Sequence, residues 1–301
     1  MENILYEIEK LNLENIDFKN ALRKKAGFGY DKSKCKIFFS PRKLYSDYKQ
    51  KLIDKNLNNI VLPNFPHEEW LLHLFYGPKN KKIVIYTCVT GNYDSISSPL
   101  FFSENIDYIL FSDSEKNFLG WKRKSIPKNL NAFSNAQINR YIKMHPYEFF
   151  ANDYDYSIYI DGNVQVISDL TFFCNSIKSN IGLQFHKHSL RNDVLDEAKV
   201  CIKFKKGNQS YIKDYVTFLK KEKFPKNYGL FECNVILSDL KNPISKKILD
   251  QWWDDFLKSK TGRDQLVLPY IFWKNHLNPE DAYGLGRNVF TDSKIRLYLH
   301  N

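Results

Sequence analysis

The chain has 301 residues, of which 43% are hydrophobic and 16% aromatic, so it can bury the core of one large domain, alone or with an appendage. No run approaches the roughly 20 apolar residues that a membrane span needs. The start of the chain mixes acids into its apolar positions and so differs from a signal peptide. These two features predict a cytoplasmic protein. The formal charge of +11 favours anionic partners, but the lysines are dispersed and no helix-turn-helix, zinc-finger or RNP-type segment accompanies them, so we do not expect nucleic acid as a partner.

The cysteines are scattered and never occur in a CxxC or otherwise paired spacing. This pattern predicts neither a zinc site nor a disulfide framework. We expect all five to be small core residues: Cys35, Cys88, Cys174, Cys201 and Cys233.

Residues 1–80 predict a mainly helical N-terminal extension, because apolar residues recur there at helix-like spacing between proline-containing breaks. The turn "GPKNKK" ends this region, and from there apolar runs alternate with helical segments. We therefore expect one α/β domain over residues 81–301.

Three buried strands are predicted in the first half of this domain, at residues 82–89, 107–113 and 155–161, with a helix over residues 132–150 before the third. Further strands are expected at residues 181–186 and 231–240. The clearest helix follows the last of these, with Asn242 as its cap, Pro243 in its first turn and an apolar stripe behind them. Continuous apolar strands interleaved with helices indicate a mainly parallel sheet with helices on both faces.

Polar residues follow the first two strands, at the edge where open α/β sheets bind ligands. The segment "TGNYDS" offers a tight turn with backbone N–H groups, a ring for stacking and an acid, and a second acid ends "FSD". Each is equally compatible with an ordinary turn or a helix cap. The candidate donor-binding residues are Thr90, Gly91, Asn92, Tyr93, Asp94 and Asp113.

The third strand ends in Asp161, Gly162 and Asn163. A carboxylate and an amide two residues apart can both face a hard cation such as Mg²⁺ or Mn²⁺. The same residues are also a common hairpin turn, so the stretch alone leaves a metal site and a hairpin open. The preceding helix favours the functional interpretation, because Arg140 and Lys143 share one of its faces and could reach the same phosphates.

These motifs together are similar to one known family. The set "YTCVTGNYDS", "DYILFSD", "NRYIKMHP", "YDYSIYIDGNVQV", "HKHSLRNDVLDEAKVCI", "YGLFECNVIL" and "RDQLVLPYIFWK" resembles the glycosyltransferase-like family catalogued as domain of unknown function 616. That family includes the plant TOD and MUCI proteins and bacterial proteins associated with surface polysaccharides. The resemblance covers roughly residues 82–275.

The resemblance implies a GT-A fold, a Rossmann-like sheet that binds a nucleotide-sugar donor at its strand ends. Its DxD-type motif for Mn²⁺ or Mg²⁺ falls on Asp161 and Asn163, and the amide in the second position implies a weakly held metal. The loop at residues 90–94 and Asp113 match the nucleotide-binding segments, and Arg140 and Lys143 match the basic helix before the DxD strand.

Later clusters complete the candidate site. Two histidines end a predicted strand and are followed by an arginine and Glu197, which favours a cleft over a structural role. An acid at the position of Asp264 is often the base or a sugar contact in GT-A enzymes, and we place it ahead of Glu232. We expect catalytic roles for Asp264, Glu232 and His186, and acceptor or sugar contacts for His188, Arg191, Asn234, Arg263 and Gln265.

The leading functional hypothesis is transfer of a sugar from a nucleotide-diphosphate donor to a bacterial surface glycan, such as capsule or lipooligosaccharide. A lipid-linked acceptor would bring the basic enzyme to the inner face of an anionic membrane. One alternative is a metal-dependent hydrolase of a glycolipid or lipid, with Asp161, His186 and His188 as metal ligands. Another is a non-catalytic nucleotide-binding module.

Overall fold

The computed structural model describes residues 77–78, 80–286 and 288–298. They belong to a compact unit, Trp70–Asn301. The helical extension predicted for residues 1–80 lies almost entirely outside the described residues, as does Cys35, and the boundary at residue 80 stays a prediction. The other four cysteines are buried and unpaired, in agreement with the core role expected of them.

Eight strands form two sheets within the described residues. The larger sheet has six strands in the order β3-β2-β1-β4-β7-β6, and β5 pairs with β8 in a separate two-stranded sheet. Strand β7 is antiparallel to both neighbours, whereas β1, β2, β3 and β4 are parallel. The strands are β1 (Ile83–Val89), β2 (Ile106–Ser112), β3 (Lys122–Lys124), β4 (Tyr156–Ile160), β5 (Val164–Val166), β6 (Leu183–Lys187), β7 (Phe231–Asp239) and β8 (Ile295–Leu297).

The central strands are continuous apolar runs because both faces of the sheet are covered. All seven residues of β1 are buried, as are six of the seven in β2. Their side chains alternate between two cores, so that Tyr86 and Cys88 lie in one and Ile83 and Ile85 in the other. The predicted Rossmann-like, mainly parallel α/β sheet is confirmed.

The described α-helices all contribute to the core on one face of the sheet, which we call the helical face. The opposite core is covered by the 3₁₀ helix Thr171–Ser176, by β5 with β8 and by the C-terminal segment. The expectation of helices on both faces is thus corrected for the described residues, because the segment after β4 forms a short strand and a 3₁₀ helix. The helices are α1 (Asn135–Met144), α2 (Pro146–Phe150), α3 (Val194–Lys203), α4 (Gln209–Lys221), α5 (Pro243–Ser259) and α6 (Asp264–Lys274).

Local sequence signals explain where the helices begin and end. The predicted helix over residues 132–150 is two helices, because Pro146 lacks the N–H that would continue α1 beyond His145. A capping box of Ser134 and Gln137 starts α1. Asn242 caps α5 as predicted, accepting hydrogen bonds from the Ile244 and Ser245 amides. None of the helices described is long and apolar enough to cross a membrane.

The turn after β4 does not make a hairpin. The Val164 amide donates to the Asp161 carbonyl at 2.9 Å, which closes a tight turn. Strand β5 does not fold back on β4. It leaves the main sheet and pairs with β8, near the end of the described residues. The hairpin alternative is therefore wrong, and the turn points its side chains at the carboxyl edge of the sheet.

Candidate active site

The first three predicted strand ends meet at one edge of the sheet. Strands β1, β2 and β4 are parallel neighbours, with Val89 opposite Ser112 and Tyr86 opposite Tyr159. The loop after β1, Asp113 after β2 and Asp161 after β4 therefore lie at the same carboxyl edge, where α/β sheets bind ligands.

The loop after β1 is tied to the end of β2. The Gly91 amide donates to Oδ2 of Asp113 at 2.8 Å. Gly91 and Asn92 both adopt left-handed backbone conformations, with φ of 64° and 54°. Thr90 is buried beside the start of α1, whereas Tyr93 is 64% exposed at the loop surface. The two predicted donor-binding segments thus form one unit, which carries the exposed Tyr93 ring.

The same loop touches the turn after β4. A Cβ at Gly162 would lie 2.5 Å from Cγ2 of Val89 and 3.1 Å from the Cβ and Oδ2 of Asp94. Only glycine allows the turn and the loop to approach this closely. The predicted residues at the carboxyl edge are consequently brought together around Gly162.

The Asp161 carboxylate is held by two neutral donors. Its Oδ1 accepts a hydrogen bond from the Tyr159 hydroxyl at 3.0 Å. Its Oδ2 accepts one from the side-chain amide of Asn234 at 2.9 Å. The Asp161 amide also donates to the Asn234 carbonyl at 2.8 Å. Asn234 therefore lies in the site, and it fixes the carboxylate that the resemblance assigns to the metal motif.

The two polar atoms of the Asn163 side-chain amide have different surroundings. Its Nδ2 donates to the Tyr298 carbonyl at 2.8 Å, whereas its Oδ1 is buried without a hydrogen-bond partner. A buried amide oxygen left unpaired beside a carboxylate is a suitable ligand for a hard cation. Asp161 and Asn163 thus place on one turn oxygen atoms of the types that bind Mn²⁺ or Mg²⁺, with Asp94 beside the turn.

The basic pair on α1 meets an acid from α6. Lys143 Nζ lies 2.8 Å from Oδ2 of Asp264, and Arg140 Nε lies 3.2 Å from the same oxygen. Lys143 Nζ is also 3.9 Å from Oδ1 of Asp161. The Lys143 side chain is only 2% exposed, whereas that of Arg140 is 23% exposed and so reaches the surface of the edge.

Burial alone would raise the pKa of Asp264, but the charges of Arg140 and Lys143 outweigh it and hold the pKa well below its ordinary value. A carboxylate that stays ionised in this way is a weak proton acceptor. The structure therefore does not favour the predicted role of Asp264 as the base. It assigns Asp264 to holding the two cations in place.

Two aromatic residues that the sequence did not single out complete this cluster. Lys143 Nζ lies 5.1 Å from the ring centre of Tyr159 and 5.8 Å from that of Trp252, within cation–π range. The Trp252 indole N–H also donates to the Asp264 carbonyl at 2.9 Å. The alternation along β4 could have identified Tyr159, since it lies two residues before Asp161 and shares its side of the strand.

A second cluster lies beside the first, around Glu232 at the start of β7. Gln265 Nε2 donates to the Phe231 carbonyl at 2.7 Å and to Oε2 of Glu232 at 3.3 Å. His188 Nε2 lies 3.7 Å from Oε1 of Glu232 and 3.5 Å from Oε2 of Glu197, which also pairs with Arg191. Because Gln265 follows Asp264 directly, the two clusters adjoin at the start of α6.

His188 is held in one tautomer. Its Nδ1 accepts hydrogen bonds from the Leu190 and Arg191 amides, at 3.2 and 3.1 Å, so its proton is on Nε2, facing the two glutamates. Burial lowers its pKa, and the opposite effect of Glu232 and Glu197 does not overcome the burial. His188 is therefore a neutral donor at physiological pH.

His186 and Arg263 are the remaining predicted site residues. His186 lies on the opposite face of the sheet, bonded to Asp292 at 2.8 Å and packed against Phe173. Side chains alternate along β6 and Phe185 occupies the helical face, so the position of His186 does not support its predicted catalytic role. Arg263 is the residue before α6, where one of its guanidinium nitrogens lies 3.4 Å from Oε1 of Gln265.

The hydrolase alternative required a metal cluster containing both histidines. No group of three or more histidine, cysteine, aspartate or glutamate side chains suited to a metal is found within residues 77–78, 80–286 and 288–298. The separation of His186 from Asp161 by the sheet explains this result. The geometry therefore does not support that alternative.

Comparison with known proteins identifies the class. The model of the TOD1/MUCI70 glycosyltransferase-like domain matches residues 76–299. The chain therefore belongs to this family, as the motifs predicted, and its enzyme class is that of a glycosyltransferase. No curated protein matches the sequence.

Three solved structures of similar fold are glycosyltransferases. The apo bifunctional glycosyltransferase WbbM is 11% identical, over 82% of this chain and 53% of that one, with a TM-score of 0.40. Mouse xyloside xylosyltransferase 1 in its apo form is 11% identical over 73% and 98%, with a TM-score of 0.41. The galactosyltransferase LgtC in complex with donor and acceptor sugar analogs is 13% identical over 72% and 86%, with a TM-score of 0.37.

Proposed function

We propose that this glycosyltransferase transfers a sugar from a nucleotide-diphosphate donor to a bacterial surface glycan, such as capsule or lipooligosaccharide. The proposal of a nucleotide-diphosphate donor rests on one observation. The cations Arg140 and Lys143 lie beside Asp161 at the carboxyl edge of the parallel strands. The acceptor class follows from the family resemblance of the sequence and is a proposal of the same kind.

The loop after β1 is suited to the nucleoside. Tyr93 is exposed and offers its ring to a base, and Asp113 sits where a ribose or base hydroxyl or amine would be bound. The left-handed turn at Gly91 and Asn92 presents backbone N–H groups at the same edge. The diphosphate would then lie between this loop and Arg140.

Charge balance supports a divalent cation in the site. The two cations and two carboxylates around Lys143 cancel, so the cluster alone offers little net attraction to a diphosphate. Asp161 and Asn163 would hold Mn²⁺ or Mg²⁺ through their oxygens. A bound cation supplies Lewis-acid stabilisation of the departing diphosphate.

Arg140 supplies the protein's own part of that stabilisation. Asp264 orients its guanidinium and the Lys143 ammonium before substrate arrives, and preorganised charges of this kind are usually the largest contribution to catalysis. Lys143 is too buried to leave its place, so it acts by holding a positive charge beside Asp161.

The second cluster is suited to the acceptor and the transferred sugar. Glu232 takes the place of Asp264 as the candidate base, because it is bound mainly by neutral donors, Ser189 and Gln265. His188 and Arg191 belong to this cluster, whereas Asn234 contacts Asp161 in the first one. A lipid-linked acceptor would place the enzyme on the cytoplasmic side of an anionic membrane.

Thermal unfolding with a panel of nucleotide sugars, with and without Mn²⁺, tests the donor. We expect one donor to stabilise the wild type, more strongly with Mn²⁺, and Asp161→Ala to lose both this effect and transfer activity. Asp155→Ala is the matched control, since Asp155 lies at the other end of the same strand, where it pairs with Lys81. It should keep donor binding.

Two results would oppose the proposal. Full transfer activity in Asp161→Ala would remove this residue from the mechanism. Nucleotide stabilisation without transfer to any glycan acceptor would favour the alternative of a non-catalytic nucleotide-binding module.

A further inference from the structure

Three large apolar side chains are exposed together on the face of the sheet opposite the helices. Leu119 is 82% exposed, and Leu100 and Phe102 are each 60% exposed. Scattered apolar residues on a surface are ordinary, but a contiguous group of them marks an interaction site. We call these three residues the apolar patch.

Contacts between two segments make the patch contiguous. A Cβ at Gly120, the residue after Leu119, would lie 3.0 Å from Cζ of Phe102. The ring of Phe102 packs on Tyr108, which in turn packs on Trp121, with ring centres 5.5 Å apart in both pairs. Phe102 therefore stands on an aromatic base, and the residue after Leu119 lies beside its ring.

Exposed arginines flank the patch on two sides. Arg123 in the edge strand β3 projects to the same side as Trp121, since Lys122 and Lys124 contact Asp107 and Phe150 on the other. On the second side, Leu100 bonds to Val166 of β5 through its amide.

The second arginine is placed by the pairing of β5 with β8. Arg296 lies opposite Gln165, and Gln165 donates to the Ser98 carbonyl at 2.8 Å. Arg296 is therefore next to the segment that carries Leu100. The nearby acid Glu104 lines a separate small cavity with Lys82 and Asp107.

We propose that the apolar patch and its flanking residues Arg123 and Arg296 dock the protein on an anionic membrane surface. Leucine and phenylalanine side chains enter the boundary between headgroups and acyl chains, while arginines bind anionic headgroups. The formal charge of +11 acts in the same direction. A symmetric dimer through this patch is disfavoured because the arginines of the two copies would approach each other.

This inference rests on the membrane part of the proposed function and is independent of the reaction. The patch lies on the face opposite α1, and the carboxyl edge with Arg140 and Asp161 is formed by other segments. Substitutions in the patch therefore leave donor binding unchanged, and the two proposals can fail separately.

Co-sedimentation of the full chain with vesicles tests the inference. We expect the wild type to bind vesicles of phosphatidylglycerol and phosphatidylcholine, to bind pure phosphatidylcholine vesicles weakly and to be released by high salt. Leu119→Glu should lower the partition coefficient about tenfold, because it places a charge where an apolar side chain would enter the bilayer. Arg123→Glu should lower it and reduce its salt dependence.

Phe204→Glu is the matched control, since Phe204 is 63% exposed at the end of α3, among the helices on the other face. It should retain vesicle binding, and circular dichroism and nucleotide stabilisation should be unchanged in all three variants.

Absence of vesicle binding by the wild type would overturn the inference, as would an equal loss in Phe204→Glu. A concentration-dependent dimer that Leu119→Glu abolishes, with vesicle binding unaffected, would assign the patch to a second copy of the chain and overturn it too.

Discussion

At the scale of single residues, Asp264 decides how the basic pair of α1 is arranged. One of its oxygens contacts both Lys143 and Arg140, although Lys143 and Asp264 are 121 residues apart in the chain. The sequence identified all three as site residues. It did not predict that they pair, because that contact depends on how α6 packs against α1.

Replacing Asp264→Asn should leave Lys143 buried without its partner. We expect a loss of about 3 kcal/mol in the free energy of unfolding near neutral pH, together with weaker donor binding, because removing one partner of a buried pair leaves an uncompensated charge. Urea unfolding at several pH values measures this.

The pH dependence of that difference has a definite sign. Because the folded pKa of Asp264 lies below its ordinary value of 3.8, its stabilisation is present above pH 3.8 and is lost as the pH falls below it. Wild type and Asp264→Asn should therefore converge in stability in strong acid. A constant difference down to about pH 2 would contradict the assignment of Asp264 as an ionised partner.

His188 should make the protein sensitive to mild acid. Its folded pKa lies below the ordinary value of 6.5, so the unfolded state binds more protons and stability falls as the pH drops below about 6.5. His188→Gln should remove part of this loss, whereas the contribution of His145, whose pKa burial also lowers, stays the same in both proteins. Urea unfolding at about pH 7 and pH 5.5 compares them; equal losses would contradict the prediction.

At the scale of elements, the turn between β4 and β5 positions the proposed donor site. Its glycine lies against Val89 of β1 and Asp94 of the following loop, so the loop and the turn are in close contact. The sequence suggested either a hairpin or a metal motif here. The hairpin is excluded by the pairing of β5 with β8 near the end of the chain, which local sequence patterns do not reveal, and the metal motif stays a proposal.

Gly162→Ala should therefore weaken donor binding and destabilise the protein by about 1–3 kcal/mol, because the new methyl group would overlap Val89. Nucleotide titration by calorimetry and thermal unfolding measure the two effects. The double variant Gly162→Ala with Val89→Ala should recover part of the donor affinity, since it removes the overlapping methyl groups. A double variant no better than the single one would contradict this steric explanation.

Other elements follow local signals and were predicted closely. Strand β1 begins one residue after its predicted start, and α5 begins where Asn242 and Pro243 placed it. The pairing of β6 with β7 was not predicted in detail, since their register shifts between Phe185 and His186. A shift of this kind re-aims side chains without leaving a clear mark in the sequence.

At the scale of the whole molecule, the two faces of the sheet differ in what covers them. Within the described residues, the α-helices and the charged cluster lie on one face, and the apolar patch lies on the other. Composition and strand patterns predicted the sheet and its reactive edge. They did not predict this asymmetry, since apolar strands look the same whether helices or strands cover them.

A crystal structure of the protein with a bound nucleoside diphosphate and Mn²⁺ tests the central claim most directly. The account predicts the diphosphate at the carboxyl edge, within hydrogen-bond distance of Arg140, with the cation bound by Asp161 and Asn163. A nucleotide bound elsewhere, with the cluster of Arg140, Lys143 and Asp264 remote from its phosphates, would contradict it.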